Sequence, residues 1–379
     1  MKPKIRFKGF EGEWKAEELS HICSVNRGVR VTRNDLHNNG VYPVYQNTDY
    51  PMGYYTKFNV ESNNPFVIVG GSAGLIGFCH TNFWAADDCV FFGDNPIINK
   101  SFLYNNLIFH KTEIKRNVRG ASVPRLDRET LRKLPVSIPS LPEQQAIASY
   151  FTTLDSQISA STSRLTSLKQ MKAASLQAMF PQEGETVPKI RFKGFEGEWK
   201  KVKADSIFKT FNEKNRPDLP VLSAAQDRGM VTRESIGYNI FHDTSNEATY
   251  KHILPGQFVI HLRSFQGGFA HSEIEGIASP AYTIIDFKNK DLYHDYYWRY
   301  VFMSKEFIKR LELITYGIRD GRSISYDEFK EMSFLVPSKE EQIKIASYLK
   351  NLDRQISLQS QRLEKLKQIK SACLDKMFV

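Results

Sequence analysis

The chain has 379 residues, 41% of them apolar, with a formal net charge of +10 at pH 7 and an isoelectric point near 9.2. That apolar content supports two domains with cores of their own, and the positive balance favours an anionic partner, most simply nucleic acid. No apolar leader follows Met1, no run approaches the roughly 18 apolar residues of a membrane span, and Cys23, Cys79, Cys89 and Cys373 form no CxxC pair, so a soluble, cytoplasmic protein without a disulfide framework or structural zinc is expected.

In chain order, the first feature is a block from Pro3 to Trp14, P-K-I-R-F-K-G-F-E-G-E-W, which recurs unchanged from Pro188 to Trp199. Residues 15–138 follow and read as mixed and β-rich: Phe66-Val67-Ile68-Val69 is a short apolar strand running into Gly70-Gly71-Ser72-Ala73-Gly74. From Pro139 to Phe180 the pattern turns helical. Ser140 and Glu143 make an S-x-x-E capping box, and Pro142 suits a first turn. Phe151, Leu154, Ile158, Leu165, Leu168 and Met179 then keep heptad phase, interrupted at Ser161 and Lys172.

The polar segment 181–187, PQEGETV, is a natural turn into a second half. After the repeated block, residues 200–336 show no alignment with 15–138. Gln257–Leu262 and Tyr282–Ile285 read as strands, and Tyr293 to Leu313 as one packed helix whose aromatics are core. Pro337 to Phe378 then repeats 139–180 with 23 identities in 42 positions. It has its own capping pair, Ser338 and Glu341, a seam of Leu349, Leu352, Ile356, Leu363, Leu366 and Met377, and interruptions at Gln359 and Lys370. Each half is therefore a shared head, a private middle and a shared tail. A helix of roughly 40 residues would be about 60 Å long, and two seams too narrow for a globular core should zip together. Chain order makes that pair antiparallel, with a globular domain at each end and a pseudo-two-fold axis between them.

This order resembles the specificity subunit of type I restriction–modification systems. The resemblance is carried by Arg6–Trp14 and Arg191–Trp199, by P-S-L-P-E-Q-Q-A-I-A-S-Y-F-T-T-L-D at 139–155 with its partner at 337–353, and by the loops Arg119–Val123 and Asp320–Ile324. It implies α/β (α+β) target-recognition domains at 1–139 and 188–337, a central conserved helix at 140–180, a linker at 181–187 and a C-terminal conserved helix at 338–379. It further implies a non-catalytic subunit whose two variable domains each read half of a bipartite, asymmetric double-stranded DNA target. The helix pair would set the spacer and dock two modification (methyltransferase) subunits. S-adenosylmethionine, ATP and Mg are then expected on the modification and restriction subunits, with no cofactor on this chain. A stand-alone DNA-binding regulator and a coiled-coil protein scaffold are the alternatives; the scaffold leaves the diverged middles unexplained.

An enzyme reading finds little support. Asn63-Asn64-Pro65-Phe66 and Ser279-Pro280-Ala281-Tyr282 each lack a proline of the amino-methyltransferase [DNS]-P-P-[YFW] loop. Gly71, Gly74 and Gly77 are misspaced for G-x-G-x-x-G, there is no phosphate-binding G-x-x-x-x-G-K-[ST], and Asp94 with Glu113 and Lys115 only loosely mimics a nuclease set. Direct readout needs polar side chains at base edges. Gln46, Asn47 and Ser72 beside Gly-containing turns are the candidates in the first domain, and Arg263, Ser264 and Gln266 in a polar turn of the second. Arg119 and Arg322 are candidates for phosphate. The shared polar residues Gln144/Gln342, Arg164/Arg362 and Lys169/Lys367 are expected on the outward, partner-docking face of the helices.

Overall fold

A computed structural model of the chain describes residues 2–36, 39–225, 228–236, 244–261, 268–314 and 325–379. The two apolar seams become continuous helices, Leu141–Ala178 and Lys339–Met377, of 38 and 39 residues. The chain divides into two compact units: residues 1–163 with 360–379, and residues 164–359. Each unit thus takes one half of each long helix.

In the first unit, Tyr150 Oη lies 3.5 Å from Cys373 Sγ, and Lys370 Nζ donates to Asp155 at 2.5 Å. One number rises as the other falls, so these half-helices run antiparallel. Phe151, Leu154, Leu374, Met377 and Phe378 enter the same core as Trp14, Phe102 and Leu107. The head crosses this helix pair: Ile5 N–H donates to Lys376 O at 3.0 Å, and Trp14 is buried. Strand Lys15–Glu18 then pairs antiparallel with Pro135–Ile138, which leads directly into the first long helix. Beyond it sits a four-stranded antiparallel sheet in the order Val25–Arg27, Cys89–Phe92, Asn64–Ile68, Ile76–Cys79. Helices Lys100–Phe109 and Lys111–Arg116 follow, the first burying Phe102, Leu103 and Leu107. A smaller sheet of Gly53–Tyr55, Tyr42–Tyr45 and Trp84–Ala85 completes the globular part.

The second unit repeats this plan from other residues. Ser175 Oγ lies 3.3 Å from Tyr348 Oη and Lys172 Nζ 2.6 Å from Asp353, so its half-helices are also antiparallel and use the repeat-equivalent contacts with the copies exchanged. Lys172 and Lys370, which interrupt the apolar seams, are thereby each paired with a carboxylate. Ile190 N–H donates to Ala178 O at 2.9 Å, Trp199 is buried, and Lys200–Lys203 pairs with Ser333–Val336. Segment 181–187 turns through Glu185 N–H to Gln182 O at 2.9 Å.

The sheet order is Phe208–Phe211, Thr283–Phe287, Phe258–Ile260, Phe269–His271, again antiparallel throughout. The private middles therefore share a frame that their sequences hide. They differ in what is added to it: here two separate two-stranded ribbons, Leu222–Ala225 with Gly229–Thr232 and Lys251–Ile253 with Gly276–Ala278.

Two sequence expectations change. The single helix expected over 293–313 is two, Asp295–Met303 and Lys305–Ile314, because Ser304 takes an extended ψ of 143°. Its Oγ accepts from Phe307 N–H at 3.2 Å, capping the second helix, which is the usual preference of serine. The aromatics are core as expected: Tyr297, Trp298, Tyr300 and Phe302 are all fully buried. The second capping box is half made. Ser338 Oγ accepts from Glu341 N–H at 3.3 Å, but the Glu143 and Glu341 carboxylates turn instead to arginines of the heads.

Candidate nucleic-acid interface

In the first unit, strands Asn64–Ile68 and Ile76–Cys79 form a hairpin whose connection carries Gly70 to Gly74. Gly71 adopts φ +76°, and a Cβ there would stand 2.9 Å from Asn47 Cβ, so the backbone can approach only as glycine. Gly71 N–H donates to Pro124 O at 3.2 Å and Ser72 N–H to Asn47 O at 3.1 Å. Arg119 and Arg125 exchange backbone hydrogen bonds of 2.8 and 2.7 Å. Three loops are thus stitched together, and they gather the candidate residues Asn47, Ser72 and Arg119 at one exposed site with half-buried Gln46 beside them.

Two residues that the sequence did not single out fasten this site. The Asp88 carboxylate accepts from Asn47 Nδ2 at 3.1 Å and from Arg125 Nη1 at 3.0 Å. Asn47 Nδ2 also donates to Gly70 O at 3.2 Å, so both its amide hydrogens go to protein acceptors. Gln46 Nε2 donates more loosely to Asp87 at 3.3 Å. The only hint in the sequence is the Asp87-Asp88 pair, two acids in a basic chain that need partners. In the second unit, Arg263, Ser264, Gln266 and Arg322 lie outside the described residues. The strands that bracket the first three, Phe258–Ile260 and Phe269–His271, pair antiparallel.

On the long helices, Arg164, Lys169, Arg362 and Lys367 are exposed. Gln144 and Gln342 are not: they are 1% and 0% exposed and must be withdrawn from the outward face. Gln144 Oε1 accepts from Asn99 N–H at 2.9 Å, and its Nε2 donates to Ile97 O and Pro139 O at 3.0 Å each. Gln342 does the same with His294 N–H at 2.9 Å, Leu292 O at 3.0 Å and Pro337 O at 3.1 Å. The segment before each recognition-domain helix covers the start of each long helix, and the glutamine satisfies the backbone groups that this covering would orphan.

The neighbouring acid is equally committed. Arg6 grips Glu143 through Nε and Nη2 at 2.7 Å each and donates from Nη1 to Gly12 O at 2.6 Å. Arg191 makes the corresponding set with Glu341 and Gly197. The hydrogen bond to Glu143 is the main reason the Arg6 guanidinium titrates above its usual value.

Asp94 is paired with Lys100 at 3.2 Å and Glu113 with His110 at 3.0 Å, so each carboxylate of the nuclease-like set has a local partner. Among the described residues no group of three or more His, Cys, Asp or Glu is arranged to hold a metal ion, and no helix is long and apolar enough to cross a membrane.

The sequence matches the type I restriction modification DNA specificity domain twice, over residues 11–170 and 196–368. The specificity subunit of the EcoDI type I restriction enzyme of Escherichia coli is 23% identical over 210 residues, covering 55% of this chain and less than half, 46%, of that subunit. The specificity subunit of the MjaVIII enzyme of Methanocaldococcus jannaschii is 22% identical over 395 aligned positions, 96% of this chain and 91% of that one. A crystal structure of a type I restriction-modification S subunit from M. genitalium superposes with a TM-score of 0.68 at 17% identity, covering 100% of this chain and 99% of its own, so the two share a fold.

Proposed function

This chain belongs to the type I restriction modification DNA specificity family, and on that premise we propose that it is the non-catalytic, sequence-specific DNA-recognition subunit of a type I restriction–modification complex. One observation carries the reading: the specificity domain matches both halves, and each match falls on the same four-stranded frame dressed with different loops. A common frame with private loops is what two readers of different half-sites require. Each unit reads one half of a bipartite, asymmetric double-stranded target.

In the first unit Gln46, Asn47 and Ser72 face base edges and Arg119 faces phosphate. In the second, Arg263, Ser264, Gln266 and Arg322 take the same tasks. Because both Asn47 amide hydrogens are engaged by protein, its carbonyl oxygen is what it offers. It therefore accepts from a cytosine or adenine amino group rather than gripping adenine through two bonds. Two modification subunits dock on the exposed repeat-equivalent pairs Arg164/Lys169 and Arg362/Lys367, and restriction subunits join that assembly in the cytoplasm. S-adenosylmethionine sits on the modification subunits, and ATP and Mg serve the restriction step.

The test is methylation mapping at single-base resolution after co-expression with the cognate modification subunit. A two-part target that vanishes when this chain is omitted is expected. Methyl transfer to DNA by the rigorously purified chain alone, or a methylation pattern indifferent to its presence, would overturn the reading.

A further inference from the structure

In the first unit, segments 30–33 and 46–52 line a cleft of about 550 Å³. Arg30 and Arg33 come from one segment; Gln46, Asn47, Thr48 and Tyr50 come from the other. No Asp or Glu lines it. Asp35, the acid nearest to Arg33 in sequence, is turned to Thr32, accepting from its N–H at 2.7 Å and its Oγ1 at 2.6 Å. Thr48 Oγ1 donates to Tyr50 O at 2.8 Å and fixes the turn that bounds the second segment.

The cations of this region divide sharply. Arg27 donates to Asp87 O at 2.7 Å, Arg125 to Asp88 at 3.0 Å, and Arg119 to Arg116 O at 3.3 Å. Arg30 and Arg33 are exposed, and among the described residues neither makes a side-chain hydrogen bond or an ion pair. Two uncompensated guanidiniums in one concave site concentrate positive potential there, and an anion that bridges or flanks them relieves their mutual repulsion. Guanidinium is also the side chain whose donor fork matches phosphate.

We propose that this cleft is where the first unit grips the DNA backbone, with Arg30 and Arg33 each neutralising a phosphate and Gln46 brought beside them to reach a base edge. The inference rests on the DNA-recognition reading and adds to Arg119 two cations that sequence pattern did not single out. Phosphate contacts fix register without carrying sequence information, so these arginines support reading without choosing the base.

The test uses the full chain and two duplexes of about 30 base pairs, one random in sequence and one bearing the methylation-mapped target, with affinity measured by anisotropy from about 50 to 200 mM NaCl. R30A and R33A should each reduce the slope of log affinity against log salt by about 0.9, so that fourfold more salt weakens binding about 3.5-fold less per lost contact. The reduction should be the same on both duplexes, and R30K and R33K should retain most of the slope. R132A, whose arginine pairs with Glu129 at 3.5 Å, should leave it unchanged. If an alanine variant melts early, R30Q and R33Q take its place. Wild-type slopes in the charge-deleting variants, or a loss confined to the target duplex, would overturn the inference. Failure of the unaltered chain to bind either duplex would instead overturn the DNA-recognition reading beneath it.

Discussion

Gln144→Leu separates two roles for a residue that the repeat alone makes look like a docking contact. The substitution nearly conserves volume, so the cavity contribution is small. What it removes are three hydrogen bonds of 2.9, 3.0 and 3.0 Å at a side chain only 1% exposed, leaving one N–H and two carbonyls without their partner. Each lost bond costs about 1 kcal/mol and the orphaned N–H somewhat more, so a loss of about 3 kcal/mol is expected. Urea denaturation of the chain without any partner measures it. The midpoint should fall by on the order of 1 M with little change in slope. Gln342→Leu, which removes bonds of 2.9, 3.0 and 3.1 Å, should behave alike. An unchanged midpoint together with lost binding of the modification subunit would refute the structural assignment and restore the residue to the interface.

Three further outcomes are expected. Exchanging residues 200–336 for another family member's second variable region should change one half of the methylated target and leave the other intact, because both paired strands, Lys200–Lys203 and Ser333–Val336, travel together; a chimaera altered in both halves would contradict it. Native mass spectrometry with excess modification subunit should give two copies per chain, and reversing Arg164 and Lys169 to Glu should reduce this to one; a limit of one copy on the unaltered chain would rule out equivalent docking. Burial pushes the Cys23 thiol up to about 11, so the folded chain should resist iodoacetamide at this position at pH 8.5. Because the unfolded thiol ionises first, this residue's contribution to stability should decline as pH rises through its unfolded value towards 11. Mass spectrometry showing rapid native-state alkylation of Cys23 would contradict that burial.

The long helices were legible because nothing competes with their signal: heptad phase persists, and after the caps no Gly or Pro breaks it. The four-stranded frames were not. Their strands are three to five residues long, and a sheet needs only alternation of burial, which unrelated residues such as Val25 and Phe208 supply equally well. Gln144 was misplaced because a polar residue on a helix usually faces water, and sequence gave no sign that 97–99 would cover that turn. Turn chemistry nominated Asn47 and Ser72 correctly as neighbours of a glycine bend. It could not show that Asp88 and Arg125, distant in sequence, fasten the same bend, or that Asp88 and the Gly70 carbonyl take both hydrogens of the asparagine amide.

The core of the first unit is completed by residues 360–379, which are made only after the whole of the second unit. Translation at about 5–20 residues per second leaves roughly 10–40 s between Ser163 and the arrival of that segment. Throughout this interval Trp14, Phe102 and Phe151 lack Phe378, against which each packs an aromatic ring. The second unit, contained within 164–359, can close meanwhile. The first unit, though begun before the second, is thus completed after it, and its apolar surface waits on the ribosome while the second unit is made.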